Sequence, residues 1–346
     1  MNLDLIEFAK RYGPADVDYQ GAVLSPLSGD AGFRRYYRLT SKPSLMLVDS
    51  PPDKERNLEY VQINDFLARN DVRVPHMHAV SFEQGKLVLE DLGEQLLQDC
   101  LTPGNAGQLY KKALEMLHQI QITSDRPDWL EEYSQEYLLE EMQLFPDWFV
   151  QQLLGKKLDS TAEKMIAKAF TFLAEEVSGQ PQVFVHRDFH CRNLMVLPDQ
   201  NLAVIDFQDA VWGPITYDLV SLCKDCYLRW PEQRVSETVR SYANQLLDDG
   251  LLTEEQHIGF ERDFDLMGLQ RHIKVLGIFA RLHLRDGKPG YLKDLPLVLR
   301  YTLQTLGKYP ELRELHDWMM NQLIPLASGQ DWYKDWHTAG NYLDFS

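Results

Sequence analysis

The chain has 346 residues, 44% of them hydrophobic, which is enough to bury a large core and long for one compact domain. Thirty-five Lys and Arg against 52 Asp and Glu leave a formal charge of -17. Such a surface repels polyphosphate backbones and anionic membranes, which argues against nucleic-acid or membrane partners. The opening residues, MNLDLIEFAKRYG, carry no basic segment followed by an apolar one, and no stretch reaches the roughly eighteen apolar residues of a membrane span. A soluble, cytoplasmic monomer is expected. Cys100, Cys191, Cys223 and Cys226 are too few for a disulfide scaffold. The C-x-x-C in LCKDC sits in helical apolar spacing with no second pair to complete a zinc site, so buried thiols are expected.

Short β-like runs come first in the chain: AVLSPL, FRRYYRLT, SLMLVDS, then HAVSF and KLVLEDLG, punctuated by Gly, Pro and Ser. One helical segment interrupts them, from Lys54 to Asn70, with Leu58, Val61, Ile63, Phe66 and Leu67 on an apolar face and VRVP ending it. The order β-β-β-α-β-β describes a small antiparallel sheet carrying one helix. After Gly93 the pattern turns helical, through AGQLYKKALEMLHQI, EYLLEEMQLFPDWFVQQLL, TAEKMIAKAFTFLAEEV, VSETVRSYANQLLDDG and ERDFDLMGLQRHIKVLGIFARLHLRD. One β-rich island, Val183 to Phe207, is embedded in it. These runs predict two lobes, residues 1–93 and 94–346, joined at a hinge near Glu90-Asp91-Leu92-Gly93.

The chemistry concentrates in the island. HRDFHCRN satisfies H-R-D-x-x-x-x-N, the catalytic-loop pattern of phosphotransferases, and LAVIDFQD follows with an aspartate directly after an apolar strand. Phosphoryl transfer needs a base to hold the acceptor hydroxyl in line and cations to neutralise charge spreading over the phosphate oxygens. Asp188 is the candidate base. Asn193 and Asp206 offer hard oxygen donors suited to Mg2+, which keeps waters and substrate phosphates as its remaining ligands. LMVL and LAVI, separated by PDQN, predict a hairpin that brings Asn193 and Asp206 together.

VHRDFHCRNLMV, LAVIDFQDAVWGPITYDLVSL and KLVLEDLG resemble the aminoglycoside phosphotransferase and choline kinase family, whose members share an α+β, bilobed, protein-kinase-like fold. Closer still, LSGDAGFRRYYRL, LMLVDSPPD and GIFARLHLRDGKPGYLKDLPLVLRY resemble bacterial anomeric sugar kinases that act on N-acetylmuramate and N-acetylglucosamine in cell-wall recycling. The resemblance implies a small antiparallel-sheet lobe, a mainly helical lobe, and ATP-dependent transfer to an anomeric hydroxyl, giving a sugar 1-phosphate. It also implies that His186 braces the catalytic loop and that Asp218, following Asp206-Phe207, Ala210 and Gly213-Pro214, does so too.

The N-terminal part departs from the family pattern, because SLMLVDS puts Val48-Asp49 where a third-strand Lys or Arg would meet the nucleotide phosphates. Arg34, Arg35, Arg38, Lys54 and Arg56 are candidates for a relocated cation, with Glu59 a carboxylate to hold it. Gly29 and Gly32 in SGDAG would let backbone amides approach phosphate, or simply form a hairpin turn. Backbone groups of Glu90 and Leu92 in the hinge are expected to meet adenine. His190, Arg192, Gln208, Asp209, Trp212 and Arg271 are candidates for the acceptor pocket, with core packing an equal reading for Trp212 and an internal ion pair for Arg271. Three function classes follow: an anomeric amino-sugar kinase using ATP and Mg2+, a kinase for another alcohol such as an aminoglycoside or choline-like amine, and a pseudokinase that has lost its cation. A protein kinase is disfavoured by the absence of a G-x-G-x-x-G-x-V loop and of an A-P-E segment.

Overall fold

The structure is a computed structural model that describes residues 2–27, 33–123 and 126–340. Its chain divides into two compact units, and it crosses between them more than once. The first comprises Met1–Leu101, Gln108–Ile120 and Cys191–Ala210; the second comprises Thr102–Gly107, Gln121–His190 and Val211–Ser346.

The first unit is built on a five-stranded antiparallel sheet in the order β1-β2-β3-β5-β4, from β1 (Leu24–Pro26), β2 (Arg35–Leu39), β3 (Leu45–Asp49), β4 (Met77–Ser81) and β5 (Lys86–Glu90). Before it comes a helix that the strand-first reading did not include, α1 (Asn2–Tyr12). Leu5, Phe8 and Ala9 of α1 pack with Leu39, Leu45, Leu47 and Val88 of the sheet. Each such large apolar side chain contributes about 1.5–3 kcal/mol on burial, so the sheet is covered at little cost in sequence. Helix α2 (Asn57–Arg69) buries Tyr60, Ile63 and Leu67, and it ends where Asp71 takes a positive φ of 59°. A short helix, α3 (Leu97–Cys100), and residues 108–120 of α4 (Ala106–Gln121) complete the unit's helices.

The predicted hairpin also belongs to this unit. Strands β7 (Leu194–Val196) and β8 (Leu202–Val204) pair in the register Leu194↔Val204, Met195↔Ala203 and Val196↔Leu202. Met195, Leu197 and Ala203 form a small apolar cluster on which Leu92, Leu96 and Ile205 pack. The hairpin therefore carries Leu92 on one side and delivers Asn193 and Asp206 at its open end.

The second unit is mainly helical. Helix α5 (Gln135–Leu144), capped by Ser134, runs into a wider-turned segment, Phe145–Leu153, because Pro146 lacks the N–H that a regular helix would use. Helix α6 (Ser160–Ser178) follows, with the Asp159 carboxylate accepting from the amides of Thr161 and Ala162. Strands β6 (Gln182–Val185) and β9 (Val211–Pro214) pair antiparallel, and α7 (Tyr217–Cys223) and α8 (Glu232–Asp248) come next. The spine is α9 (Glu254–Leu284), 31 residues opened by a Thr253/Gln256 capping box. Its central turns are buried nearly all round, and Gly277 permits close contact: a Cβ there would lie 2.3 Å from the Leu144 carbonyl carbon of α5. Helix α10 (Leu295–Lys308) packs beside α9, after a 3-10 turn at Pro289–Asp294.

None of the four cysteines forms a disulfide, and Cys191, Cys223 and Cys226 are buried. Burial pushes the Cys223 thiol up to about 12 and the Cys226 thiol up to about 11, so both are inert at neutral pH. Among the described residues no helix is long and apolar enough to cross a membrane.

Candidate active site

In the second unit the catalytic-loop segment leaves β6 and is pinned at once. The amides of His186 and Arg187 donate to the two carboxylate oxygens of Asp218, at 2.6 and 3.0 Å, and the Asp188 amide donates to His186 Nδ1 at 3.2 Å. Asp218 is at the first turn of α7, so a helix start and a strand end fix the loop between them. The expected bracing roles of His186 and Asp218 correspond to these bonds. Arg187 needs the support, because its φ of 74° places a non-glycine residue in the left-handed region, at about 1–3 kcal/mol. Burial pushes the Asp218 carboxyl up to about 7, against the two amides, which favour its charged form.

Asp188 is half-buried. Burial opposes its ionisation, but His190, Lys274, Arg271 and Arg187 outweigh that and hold its carboxyl below the usual aspartate range. A carboxylate so held suits the ionised state that a candidate base needs. Behind it lies a buried polar network that sequence reading missed. Glu141 of α5 pairs with Arg187 and, at 3.5 Å, with Lys274 of α9, and it also accepts from the Tyr133 hydroxyl. Lys274 Nζ donates to the Tyr217 hydroxyl at 2.6 Å, one residue before Asp218. Burial opposes the charge on Glu141, yet Lys274 and Arg187 hold its carboxyl low; burial likewise opposes the charge on Lys274, which Glu141 and Tyr217 restore. Lys274 was legible only as a charge in the otherwise apolar run around RHIK, and Glu141 was one acid among several in EYLLEEMQL.

In the first unit the hairpin brings Asn193 and Asp206 together, the Asn193 amide nitrogen lying 3.5 Å from the Asp206 carboxylate. Asp206 has a φ of 65°, a second strained non-glycine position at a candidate catalytic residue. Gln208 donates to the same carboxylate at 2.9 Å, and its own Oε1 is buried without a hydrogen-bond partner. An amide and an exposed carboxylate are hard oxygen donors, and among the described residues no group of three or more His, Cys, Asp or Glu could hold a metal by itself. That donor set fits an ion that takes its other ligands from phosphate and water. Phe207 stacks on Tyr60 of α2 at 5.0 Å, fixing the aspartate's turn against the helix.

The missing third-strand cation has a candidate in Arg34. It is 6% exposed, its Nε donates to Ser50 Oγ at 3.1 Å, its guanidinium lies over the Tyr60 ring at 4.6 Å, and Glu55 stands 3.5 Å away. Burial raises the pKa of Tyr36; Arg34 lowers it, while Asp206 and Glu55 add to the rise, so Arg34 and Asp206 act on the same locality. The other candidates are engaged elsewhere. Arg38 binds Asp91 at 2.8 Å, the Gly93 carbonyl and Glu94, which braces the hinge. Arg56 pairs with Glu59 at 3.1 Å on the outside of α2, and exposed Lys54 lies over Phe33. Arg35 stands opposite Asp49, which in turn stands opposite Lys86 in the sheet register. Asp49 is thus a carboxylate between two cationic cross-strand neighbours, a sheet-pairing reason for an acid on the third strand.

The remaining predicted residues are dispersed. Gly29 and Gly32 lie outside the described residues. The Glu90 amide donates to His76 O at 2.8 Å and its carboxylate binds Arg73, while Leu92 packs on the hairpin cluster. Arg192 donates to Gln98 at 2.8 Å in the first unit, and exposed Asp209 follows Gln208 in the same unit. His190, Trp212 and Arg271 are in the second unit. The Trp212 backbone clamps Glu131 and Tyr133 across β9.

Residues 23–255 match the model of the phosphotransferase enzyme family. Over 295 residues the chain is 42% identical to a Pseudomonas aeruginosa protein named N-acetylmuramate/N-acetylglucosamine kinase, covering 85% of this chain and 87% of that one. A Neisseria meningitidis protein of the same name is 37% identical over 85% of this chain and 88% of its own. Among solved structures, a choline kinase from Cryptosporidium parvum superposes with a TM-score of 0.62 at 12% identity, covering 93% of this chain and all of that one. An ADP-bound aminoglycoside phosphotransferase superposes at 0.57 and 14% identity, covering 88% and 99%. The five-stranded sheet and the helical remainder are accordingly those of the protein-kinase-like fold.

Proposed function

The chain belongs to the phosphotransferase enzyme family, and we propose that it is an ATP-dependent kinase for the anomeric hydroxyl of N-acetylmuramate, N-acetylglucosamine or both. One observation carries the reaction type: a braced loop holds an ionised Asp188, and a hairpin pairs Asn193 with Asp206. The acceptor class rests on the relatives' names at 37–42% identity over most of their length.

In this reading Asp188 accepts the proton of the anomeric hydroxyl as its oxygen forms the bond to the γ-phosphorus, and the bond to the bridging oxygen breaks to release ADP. Asn193 and Asp206 would hold Mg2+, which supplies charge neutralisation for the phosphates. Arg34 supplies the phosphate-directed cation in place of the third-strand residue. Its buried guanidinium, coupled to the same locality as Asp206, favours an active enzyme over a pseudokinase. The hinge at Leu92 and the apolar floor of Met195, Leu197 and Ala203 suit an adenine ring. The product, a sugar 1-phosphate, would enter cell-wall recycling in the cytoplasm, where ATP is supplied.

An ADP-release assay with N-acetylmuramate, N-acetylglucosamine, kanamycin and choline tests the reading. Turnover is expected with an N-acetylated sugar, and the product phosphate should be acid-labile, as an anomeric ester is. Turnover only with kanamycin or choline, or an acid-stable product, would overturn it.

A further inference from the structure

Beside the Asp188 loop, two buried side chains keep polar atoms that no protein group satisfies. His190 is 8% exposed, its amide donates to the Asp188 carbonyl at 3.0 Å, and its Nδ1 is buried with no partner. Arg271 of α9 is 3% exposed; its Nη1 reaches Cys226 Sγ at 3.3 Å, and its Nε is buried with no partner. An unsatisfied buried donor costs about 1–3 kcal/mol, a cost a protein tolerates where a ligand completes the bond.

Both residues border one short segment, Arg271 at Cys226 and His190 at Tyr227. Tyr227 directly follows Cys226, and the His190 ring stands perpendicular to the Tyr227 ring, 5.6 Å away. Tyr227 also stacks with Phe279 at a centroid distance of 6.2 Å, and Phe279 meets Tyr291 at 5.0 Å. Phe279 is eight residues beyond Arg271 on α9, about two turns along the same helix face. Phe279 is buried, whereas Tyr227 and Tyr291 are only partly so. The Tyr227 amide donates to the Asp225 carboxylate at 3.0 Å, which fixes the segment that carries the ring.

A partly open aromatic face bordered by unsatisfied nitrogens suits a flat molecule with an apolar face and acceptor oxygens on its rim. Apart from Asp188, assigned above to the acceptor hydroxyl, the nearby carboxylates are committed: Glu141 to Arg187, Lys274 and Tyr133, Asp218 to two loop amides, and Asp225 to Tyr227. What lacks a partner at Arg271 is a donor, so a cationic amine, bringing only more donors, would leave it unanswered.

From this geometry we infer that Tyr227, Arg271 and His190 form the acceptor-ring subsite. The pyranose stacks on Tyr227, and Arg271 Nε–H donates to a carbonyl or carboxylate oxygen of a ring substituent. The inference rests on the sugar-kinase reading, and wild-type turnover with either N-acetylated sugar tests that reading separately. Given such turnover, Tyr227→Ala should raise the KM for sugar about five- to tenfold, the size expected of losing an aromatic stacking partner, while the KM for ATP stays unchanged. Tyr227→Phe should restore the wild-type value. Arg271→Lys keeps the charge but removes Nε–H: a fall in kcat/KM for N-acetylmuramate alone marks the carboxylate as its partner, and an equal fall for both sugars marks the acetamido carbonyl. An unchanged sugar KM in Tyr227→Ala, or unchanged kcat/KM for both sugars in Arg271→Lys, would overturn the inference. Hydrogen exchange of the wild-type protein covers any variant that fails to fold: saturating N-acetylglucosamine should protect residues 225–228, and no protection there would equally overturn it.

Discussion

Replacing Lys274 by Met tests whether the buried network sets the state of the base. Lys274 lies 3.5 Å from the Glu141 carboxylate, a Coulomb attraction of about 5 kcal/mol at an effective dielectric constant near 20. Removing one partner of a buried pair costs about 3–5 kcal/mol when the other is stranded. Glu141 would keep Arg187 and Tyr133, so the net loss should fall to about 2–3 kcal/mol, readable by urea unfolding. The sign for Glu141 follows from its lowered carboxyl. Its contribution is present above its unfolded-state pKa and is lost as pH falls through the folded value, so the wild-type advantage over the variant should shrink in acid.

The effect on Asp188 is separable. Burial opposes its charge, His190, Lys274, Arg271 and Arg187 favour it, and the Asp218 carboxylate opposes it in turn. Deleting Lys274 should raise the Asp188 pKa toward the usual aspartate range. Since the wild-type value lies below the ordinary aspartate range, Asp188 in the variant remains ionised at pH 7.5. The expected result is therefore a kcat within about fivefold of wild type at neutral pH, with the acid limb of kcat/KM displaced upward. A folded Lys274→Met protein whose acid limb does not move would refute the assignment of Lys274 to the base.

Two further variants address the remaining roles. Asp188→Asn should lower kcat by about 100-fold or more with the KM for ATP largely unchanged, as expected for loss of a general base; a near-normal rate would remove Asp188 from that role. Arg34→Ala should raise the KM for ATP by about tenfold, and more than Arg35→Ala or Arg38→Ala does, because a lost charge-assisted bond is worth about 1.5–3 kcal/mol. A silent Arg34 beside a responsive Arg35 would move the phosphate-directed cation to the sheet.

What was legible in the sequence was what the chain states locally. The five strands and the Asn193–Asp206 hairpin follow from alternation and turn chemistry over a few residues, and both are observed. Helix α1 was overlooked because its apolar residues, Leu5, Phe8 and Ala9, gain meaning only from the sheet they cover. The apolar pattern through EYLLEEMQLFPDWFVQQLL predicts one helical stretch, whereas Pro146 widens it after Leu144. Periodicity reports a face, and the hydrogen-bond defect that proline introduces is a separate signal.

The site divides along the same line. Asp188, Asn193 and Asp206 are legible because phosphoryl transfer demands those side chains at fixed loop spacings. The groups that make them work are not, because their relations are tertiary: Glu141, Arg187 and Lys274 are 46 or more residues apart in the chain for every contact that Glu141 makes within the trio. Arg34 shows the converse. Asp49 on the third strand reads as a lost function only if the cation is tied to one strand position, whereas chemistry asks for a buried guanidinium at the right locality. The proposed cation, Arg34 just before β2, is held by Ser50, Glu55 and the Tyr60 face, three contacts that no motif encodes. The strain at Arg187 and Asp206 points the same way. Two of the four described non-glycine residues with positive φ, Arg187 and Asp206, sit at the two proposed catalytic turns, each held by bonds or packing from distant elements, so strain is stored where side chains are aimed against local preference.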